Sequence, residues 1–213
     1  MKYLWHNKQK QNLILYFAGW GTPVSAINHL ILPKGYDLLI CYDYQDLRLD
    51  FEFSLYQEIR VVAWSMGVWV AERVLSGIPL QSATAINGTG KPYDEQCGIP
   101  PDIFDATLNN FTEQNRLKFE RRMCGKMLTN YQQLGEQRSF SDLHLELTAL
   151  FYAIKQDECT DLLSWTHAII AEQDKIFSAQ HQQAYWQSRC PISFIAGEHY
   201  CLPYFSRWEQ LWT

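Results

Sequence analysis

Ile59-Arg60-Val61-Val62-Ala63-Trp64-Ser65-Met66-Gly67-Val68-Trp69-Val70-Ala71-Glu72-Arg73-Val74-Leu75 is the stretch that decides the fold. Its first five residues are a mostly apolar run of strand length. Its last eight have the composition of a helix. Between them, Ala63-Trp64-Ser65-Met66-Gly67 places a serine at the junction. Strand, tight turn around a serine, then helix is the context that turns a G-x-S-x-G-like string into a nucleophile elbow. The turn is sharp, so the residues two before and two after the serine must be small. Gly67 meets that demand, and Ala63 adds one methyl where glycine is usual. Such a turn lifts the hydroxyl above the sheet. It also aims free backbone N–H groups and the positive end of a helix dipole at the reacting centre.

The reading extends outward on both sides. Residues 13–18, Leu-Ile-Leu-Tyr-Phe-Ala, form a continuous apolar run closed by Gly19-Trp20-Gly21, the pattern of a buried strand ending in a glycine turn. Thr22-Pro23 then reads as a helix start, with Thr22 as N-cap and Pro23 at the first helical position. Residues 37–41, 60–64 and 82–86 are further short strands, the last running into Asn87-Gly88-Thr89-Gly90. From about residue 100 to 165 the apolar positions recur at helical spacing and no strand stands out. The α/β rhythm resumes with a strand at 166–171, a helix at 179–187, a strand at 192–196 and a short helix at 203–211. Alternating strands and helices imply an α/β fold with a mostly parallel, doubly wound sheet. Residues 1–98 and 166–213 are its core, and residues 99–165 are an inserted helical lid.

Ligands on open parallel sheets bind beyond the carboxyl ends of the strands. Four strand ends carry polar or glycine-rich chemistry: Gly19-Trp20-Gly21, Trp64-Ser65-Met66, the segment 171–174, and Gly197-Glu198-His199. Ser65 as nucleophile needs a base, and His199 follows the last strand. Asp174 follows the strand before it and would orient the imidazole and stabilise its protonated form. Glu172 is the alternative acid. The chain order Ser65, Asp174, His199 is the one such folds use. The backbone N–H groups of Met66 and Trp20 are the candidate oxyanion donors. His181 is a rival base but lies within a helix among glutamines, and no strand-end geometry singles out Cys201 as a thiol nucleophile.

The chain has 213 residues, 47% of them hydrophobic, which is a globular composition of one domain or one domain with an insertion. A net charge of −5 gives no whole-molecule reason to expect nucleic acid. Six scattered cysteines show no C-x-x-C pair and no metal-ligand spacing. The apolar run near the N-terminus is too short for a signal-peptide core or a membrane span. Reduced thiols, a cytoplasmic location, no metal and no membrane are therefore expected. A monomer is the working expectation, with no sequence feature that sets oligomeric state. The exception to the acidic balance is Arg-Leu-Lys-Phe-Glu-Arg-Arg-Met-Cys-Gly-Lys at 116–126, with five basic residues and one acid. That net +4 leaves −9 on the rest of the chain. On a helix, Lys118, Arg121, Arg122 and Lys126 share one face, while Leu117, Phe119, Met123, Cys124, Met127 and Leu128 share the other. Arg116 and Glu120 intrude on the apolar side, four apart, and can pair. An ordinary solvated face accounts for the charge; a docking surface for an acidic partner accounts for its segregation.

Taken together, Phe17-Ala18-Gly19-Trp20-Gly21, Ala63-Trp64-Ser65-Met66-Gly67, Asp174, His199 and the helical insertion resemble the carboxylesterases that demethylate pimeloyl-acyl carrier protein methyl ester in biotin synthesis, and among them the BioG type. The resemblance implies an α/β-hydrolase fold and a Ser-His-Asp esterase without a cofactor. It implies an acyl carrier protein bearing a methyl-pimeloyl group as partner, with Lys118, Arg121, Arg122 and Lys126 as candidate docking residues. A general short-chain esterase or thioesterase, or a non-catalytic binding module of the same fold, are the competing expectations.

Overall fold

The computed structural model describes residues 1–135 and 138–212. Seven strands form one sheet: β1 (Lys2–His6), β2 (Asn12–Phe17), β3 (Tyr36–Tyr42), β4 (Glu58–Trp64), β5 (Ser82–Ile86), β6 (His167–Ala171) and β7 (Ile192–Ile195), in the order β1-β3-β2-β4-β5-β6-β7. All neighbours are parallel except β1, which runs antiparallel to β3 with Lys2 opposite Tyr42. The central strands are buried on both faces, so β2 from Leu13 and β4 from Val61 read as apolar runs, while β5 is buried throughout with Ser82 and Thr84 among its residues. The chain leaves β2 on one side towards β3 and returns on the other as β4. The strand order therefore reverses at β2 and β4, and their carboxyl ends flank the crevice where such sheets bind ligands.

Six α-helices are described: α1 (Met66–Val74), α2 (Pro101–Asn109), α3 (Glu113–Cys124), α4 (Leu128–Gln132), α5 (Phe140–Lys155) and α6 (Ala179–Trp186). α1 packs against β2 and β4, and α6 packs against β6. The helices α2 to α5 follow β5 and precede β6, so the 101–155 segment is helical as its spacing predicts. Thr112 caps α3 by accepting the Asn115 N–H, and Ser139 caps α5 by accepting that of Asp142. No helix among the described residues is long and apolar enough to cross a membrane.

Four local expectations need correction. The Thr22-Pro23 helix start is a single 3-10 turn, Val24–Ile27, with Pro23 rather than Thr22 at its N-cap. The final helix is two 3-10 turns, Leu202–Tyr204 and Trp208–Leu211, interrupted by extended backbone at Phe205 and Arg207. α3 stops at Cys124, because Gly125 takes φ +50 and breaks the helix, so Lys126 lies beyond it in a 3-10 turn. Leu117, assigned to the apolar face, is exposed. The sequence reading also lacked β1. All five of its residues are exposed, so it shows no buried alternation, and its register comes from β3 and from Trp5 packing edge-on against Phe51.

Candidate active site

Ser65 stands between β4 and α1 with φ +59 and ψ −125, a strained backbone that a non-glycine residue holds only where its surroundings enforce it. Two glycines provide that enforcement. A Cβ on Gly67 would lie 2.4 Å from the Phe17 carbonyl oxygen, and one on Gly88 would lie 2.3 Å from the Ser65 carbonyl oxygen. Both obstacles are backbone and cannot swing aside. The demand for a small residue after the serine is thus met at Gly67, and β5 adds a second such demand at Gly88. Ala63 is fully buried in β4.

The loops after β4, β6 and β7 bring Ser65, Asp174 and His199 into one hydrogen-bonded chain. His199 Nε2 lies 2.9 Å from Ser65 Oγ, and Nδ1 lies 2.8 Å from Asp174 Oδ2. A buried carboxylate only accepts, so Nδ1 carries the ring proton and Nε2 is left to accept the Ser65 hydroxyl proton. Asp174 Oδ1 accepts the N–H groups of Ile176 at 2.8 Å and Phe177 at 3.0 Å. Gln182 Nε2 donates to Oδ2 at 3.0 Å. The imidazole stacks on Phe177 and lies against Trp64. Glu172 is exposed and does not join this chain; its N–H meets the Ile195 carbonyl. His181 is drawn away to the Gly98 carbonyl. Cys201 is wholly buried, and burial together with the nearby Asp174 charge pushes its thiol far up, which leaves it without thiolate character.

Asn87 was not singled out by sequence. It sits at the end of β5 with φ +46, fully buried, and donates through Nδ2 to the His199 carbonyl at 2.9 Å. Its Oδ1 accepts the Ala171 N–H at 2.7 Å, and the Trp64 indole donates to the same His199 carbonyl at 3.0 Å. Asn87 thereby ties the loops after β6 and β7 together. Its place in Asn87-Gly88-Thr89-Gly90, just past a strand, was the available signal.

Gly19, Trp20, Ser65, Met66 and His199 line one narrow cavity that is partly open to solvent. Met66 N–H opens α1 and so has no intrahelical acceptor. Trp20 keeps its place through its indole, which donates to the Leu143 carbonyl on α5 at 2.9 Å. The roof comes from the helical block: Phe104 of α2, Phe119, Arg122 and Met123 of α3, and Leu147 of α5. A second, more open groove runs along α2 and α3 and shares Thr107, Phe119 and Arg122 with the cavity. Burial lowers the Arg122 guanidinium from its ordinary value against the pull of Asp174, in keeping with its place at the junction. Lys118, Arg121, Arg122 and Lys126 have no ion-pair partner among the described residues, whereas Arg116 is bonded to Glu120 at 2.9 Å as their spacing predicts. No group of three or more His, Cys, Asp or Glu gathered to hold a metal occurs among the described residues.

The sequence model of the family described as pimeloyl-ACP methyl esterase BioG matches residues 1–211. The chain belongs to the BioG family. It is 57% identical to BioG from Haemophilus influenzae, whose crystal structure superposes with a TM-score of 0.98 over 100% of both chains. It is 42% identical over 197 residues to a malonyl-[acyl-carrier protein] O-methyltransferase of Bacteroides fragilis (strain 638R); the match covers 90% of this chain and 40% of that protein. A bromoperoxidase from Bacillus anthracis shares the fold at 13% identity, with a TM-score of 0.66 over 93% of this chain and 88% of that one. The architecture is therefore that of an α/β-hydrolase, and this BioG-family chain is a carboxylic-ester hydrolase.

Proposed function

We propose that this chain hydrolyses the methyl ester of pimeloyl-acyl carrier protein, giving pimeloyl-acyl carrier protein and methanol in biotin synthesis, with Ser65, His199 and Asp174 as its triad. The observation that carries the reading is the chain of 2.9 Å and 2.8 Å hydrogen bonds from Ser65 through His199 to Asp174, set beneath an apolar cavity. His199 takes the Ser65 proton as Oγ attacks the ester carbonyl. Negative charge on the carbonyl oxygen meets the N–H groups of Met66 and Trp20. His199 then gives the proton to the departing methoxide, and water attacking with His199 as base frees the carboxylate and restores Ser65.

The 99–165 block acts as the lid in this reading. Its apolar side closes the cavity over the acyl chain, and Lys118, Arg121, Arg122 and Lys126 offer positive charge to an acidic carrier. The groove along α2 and α3 gives the carrier's long arm a path from that surface to the cavity. Docking then fixes which carbonyl reaches Ser65, so the ester is cut and the thioester is left outside.

The deciding experiment follows intact mass of pimeloyl-acyl carrier protein methyl ester incubated with the protein, with Ser65→Ala as blank. Loss of one methylene mass that depends on Ser65 is expected. An unchanged carrier, alongside cleavage of a short nitrophenyl ester, would keep the serine hydrolase and sink the substrate assignment.

A further inference from the structure

Gln182 reaches Asp174 from α6 and is wholly buried. Its Nε2 donates both to Asp174 Oδ2 at 3.0 Å and to the Phe177 carbonyl at 2.7 Å. Both partners are acceptors, so the amide faces them nitrogen-first. Its other end, Oε1, is buried with no hydrogen-bond partner among the described residues. An unmatched buried acceptor destabilises a fold, and an apolar side chain of the same length would avoid it. The amide is thus poorly explained by packing and well explained by what its nitrogen does at Asp174.

The oxygen that Gln182 holds is the one that meets the imidazole. We propose that Gln182 is a positioning residue for hydrolysis: it pins Asp174 Oδ2 and takes up part of its negative charge, which sets the acidic limit below which His199 stops working as a base. This rests on the triad reading above. The sign follows from electrostatics. Negative charge beside Nδ1 favours a second proton on Nε2, and a protonated Nε2 cannot accept from Ser65. A donor on Oδ2 weakens that hold, so His199 is free at lower pH than a less bonded carboxylate would allow. Among the described residues, the titratable and charged groups facing the pair are Arg122 of α3 and Cys201 beyond β7; the neutral Ser65 hydroxyl meets Nε2, while Phe177 and Trp64 present apolar ring faces. Those groups stay in place when Gln182 alone is changed, so the difference reports Gln182.

The test uses the full chain with Gln182→Met, which keeps length and removes the donor. The pH profile of kcat/KM on a short nitrophenyl ester should shift its acidic limb to higher pH by about half a unit to one unit, with KM little altered. A folded Gln182→Met variant whose profile overlies that of the natural protein overturns the proposal. Should that variant fail to fold, Gln182→Glu decides. A glutamic acid there must keep its proton to donate to Asp174. Its stability relative to the natural protein should then be greatest at low pH and be lost as pH rises. A Tm deficit that does not vary with pH overturns the proposal. Ser65→Ala, assayed in parallel, separates the two readings: residual full activity there strikes at the triad itself, whereas a flat Gln182 result leaves the triad standing.

Discussion

Ser65 can hold its strained backbone only while two glycines let neighbouring chains touch. Gly67→Ala and Gly88→Ala each drive a methyl into a backbone carbonyl, at 2.4 Å and 2.3 Å. Each should lower stability by about 1–3 kcal/mol, and turnover should fall further because the serine moves. Thermal melts and kcat on a short ester check both. Asp174→Asn should lower kcat by about ten-thousandfold and Glu172→Gln should leave it nearly unchanged, measured on the same ester. Ser65 and Gly67 were legible because the elbow is local in sequence. The choice of Asp174 over Glu172 was not, since both follow one strand within three residues and only tertiary packing turns one inward. Gly88, Asn87 and Gln182 were illegible for a stronger reason. Their roles lie in contacts with residues far along the chain, and a single sequence does not display such pairs.

At the scale of elements, α3 is the instructive one. Its helical period and its basic face could be read directly, and the Arg116–Glu120 pair formed as spaced. Its end could not, because Gly125 takes a positive φ at a place where a Cβ would run into the Glu198 side chain, a contact far along the chain. The consequence is a split of the basic cluster. Lys118 and Arg121 stay on the outer face of α3, Arg122 lines the cavity, and Lys126 lies over the Tyr204 ring near the loop that holds His199. Lys118→Glu with Arg121→Glu should therefore weaken kcat/KM on the carrier-bound ester by about tenfold or more and spare a small soluble ester. Added salt should weaken the natural protein on the carrier in the same direction. Equal loss on both substrates would remove docking from α3.

Across the whole molecule, an ion network joins the helical block to the sheet. Arg138 meets buried Glu146 of α5 at 2.5 Å and Asp43 beyond β3 at 2.8 Å, and Lys2 of β1 also reaches Asp43 at 2.8 Å. Burial raises the Glu146 carboxyl above its ordinary range, with Arg138 opposing. Burial also pushes Asp43 up, but the hydrogen bonds from Lys2 and Gln45 and the Arg138 charge outweigh it and leave Asp43 below its ordinary range. Arg138→Met would leave Glu146 buried without its partner and holding its proton to higher pH. A raised carboxyl contributes stability at low pH that is lost as pH rises, and Asp43 would forfeit stability that Arg138 supplies only above its titration. Both act the same way, so the loss of unfolding free energy in Arg138→Met, read from denaturant melts, should widen from mildly acid to mildly alkaline pH, reaching about 3–5 kcal/mol. The fold itself was legible at this scale because buried parallel strands announce themselves as apolar runs. β1 escaped because an edge strand exposed along its length has no such run.

The Tyr200 N–H donates to the Met123 carbonyl at 3.0 Å, and the Lys126 N–H approaches Glu198 at 3.4 Å. The residues on either side of His199 are thus fastened to the last turn of α3 and the turn beyond it. On the proposed reading, the surface that receives the carrier and the base that activates Ser65 share a single rigid frame. Like a ruler whose zero mark is fastened to the object being measured, the enzyme would gauge acyl length from an origin tied to its own base.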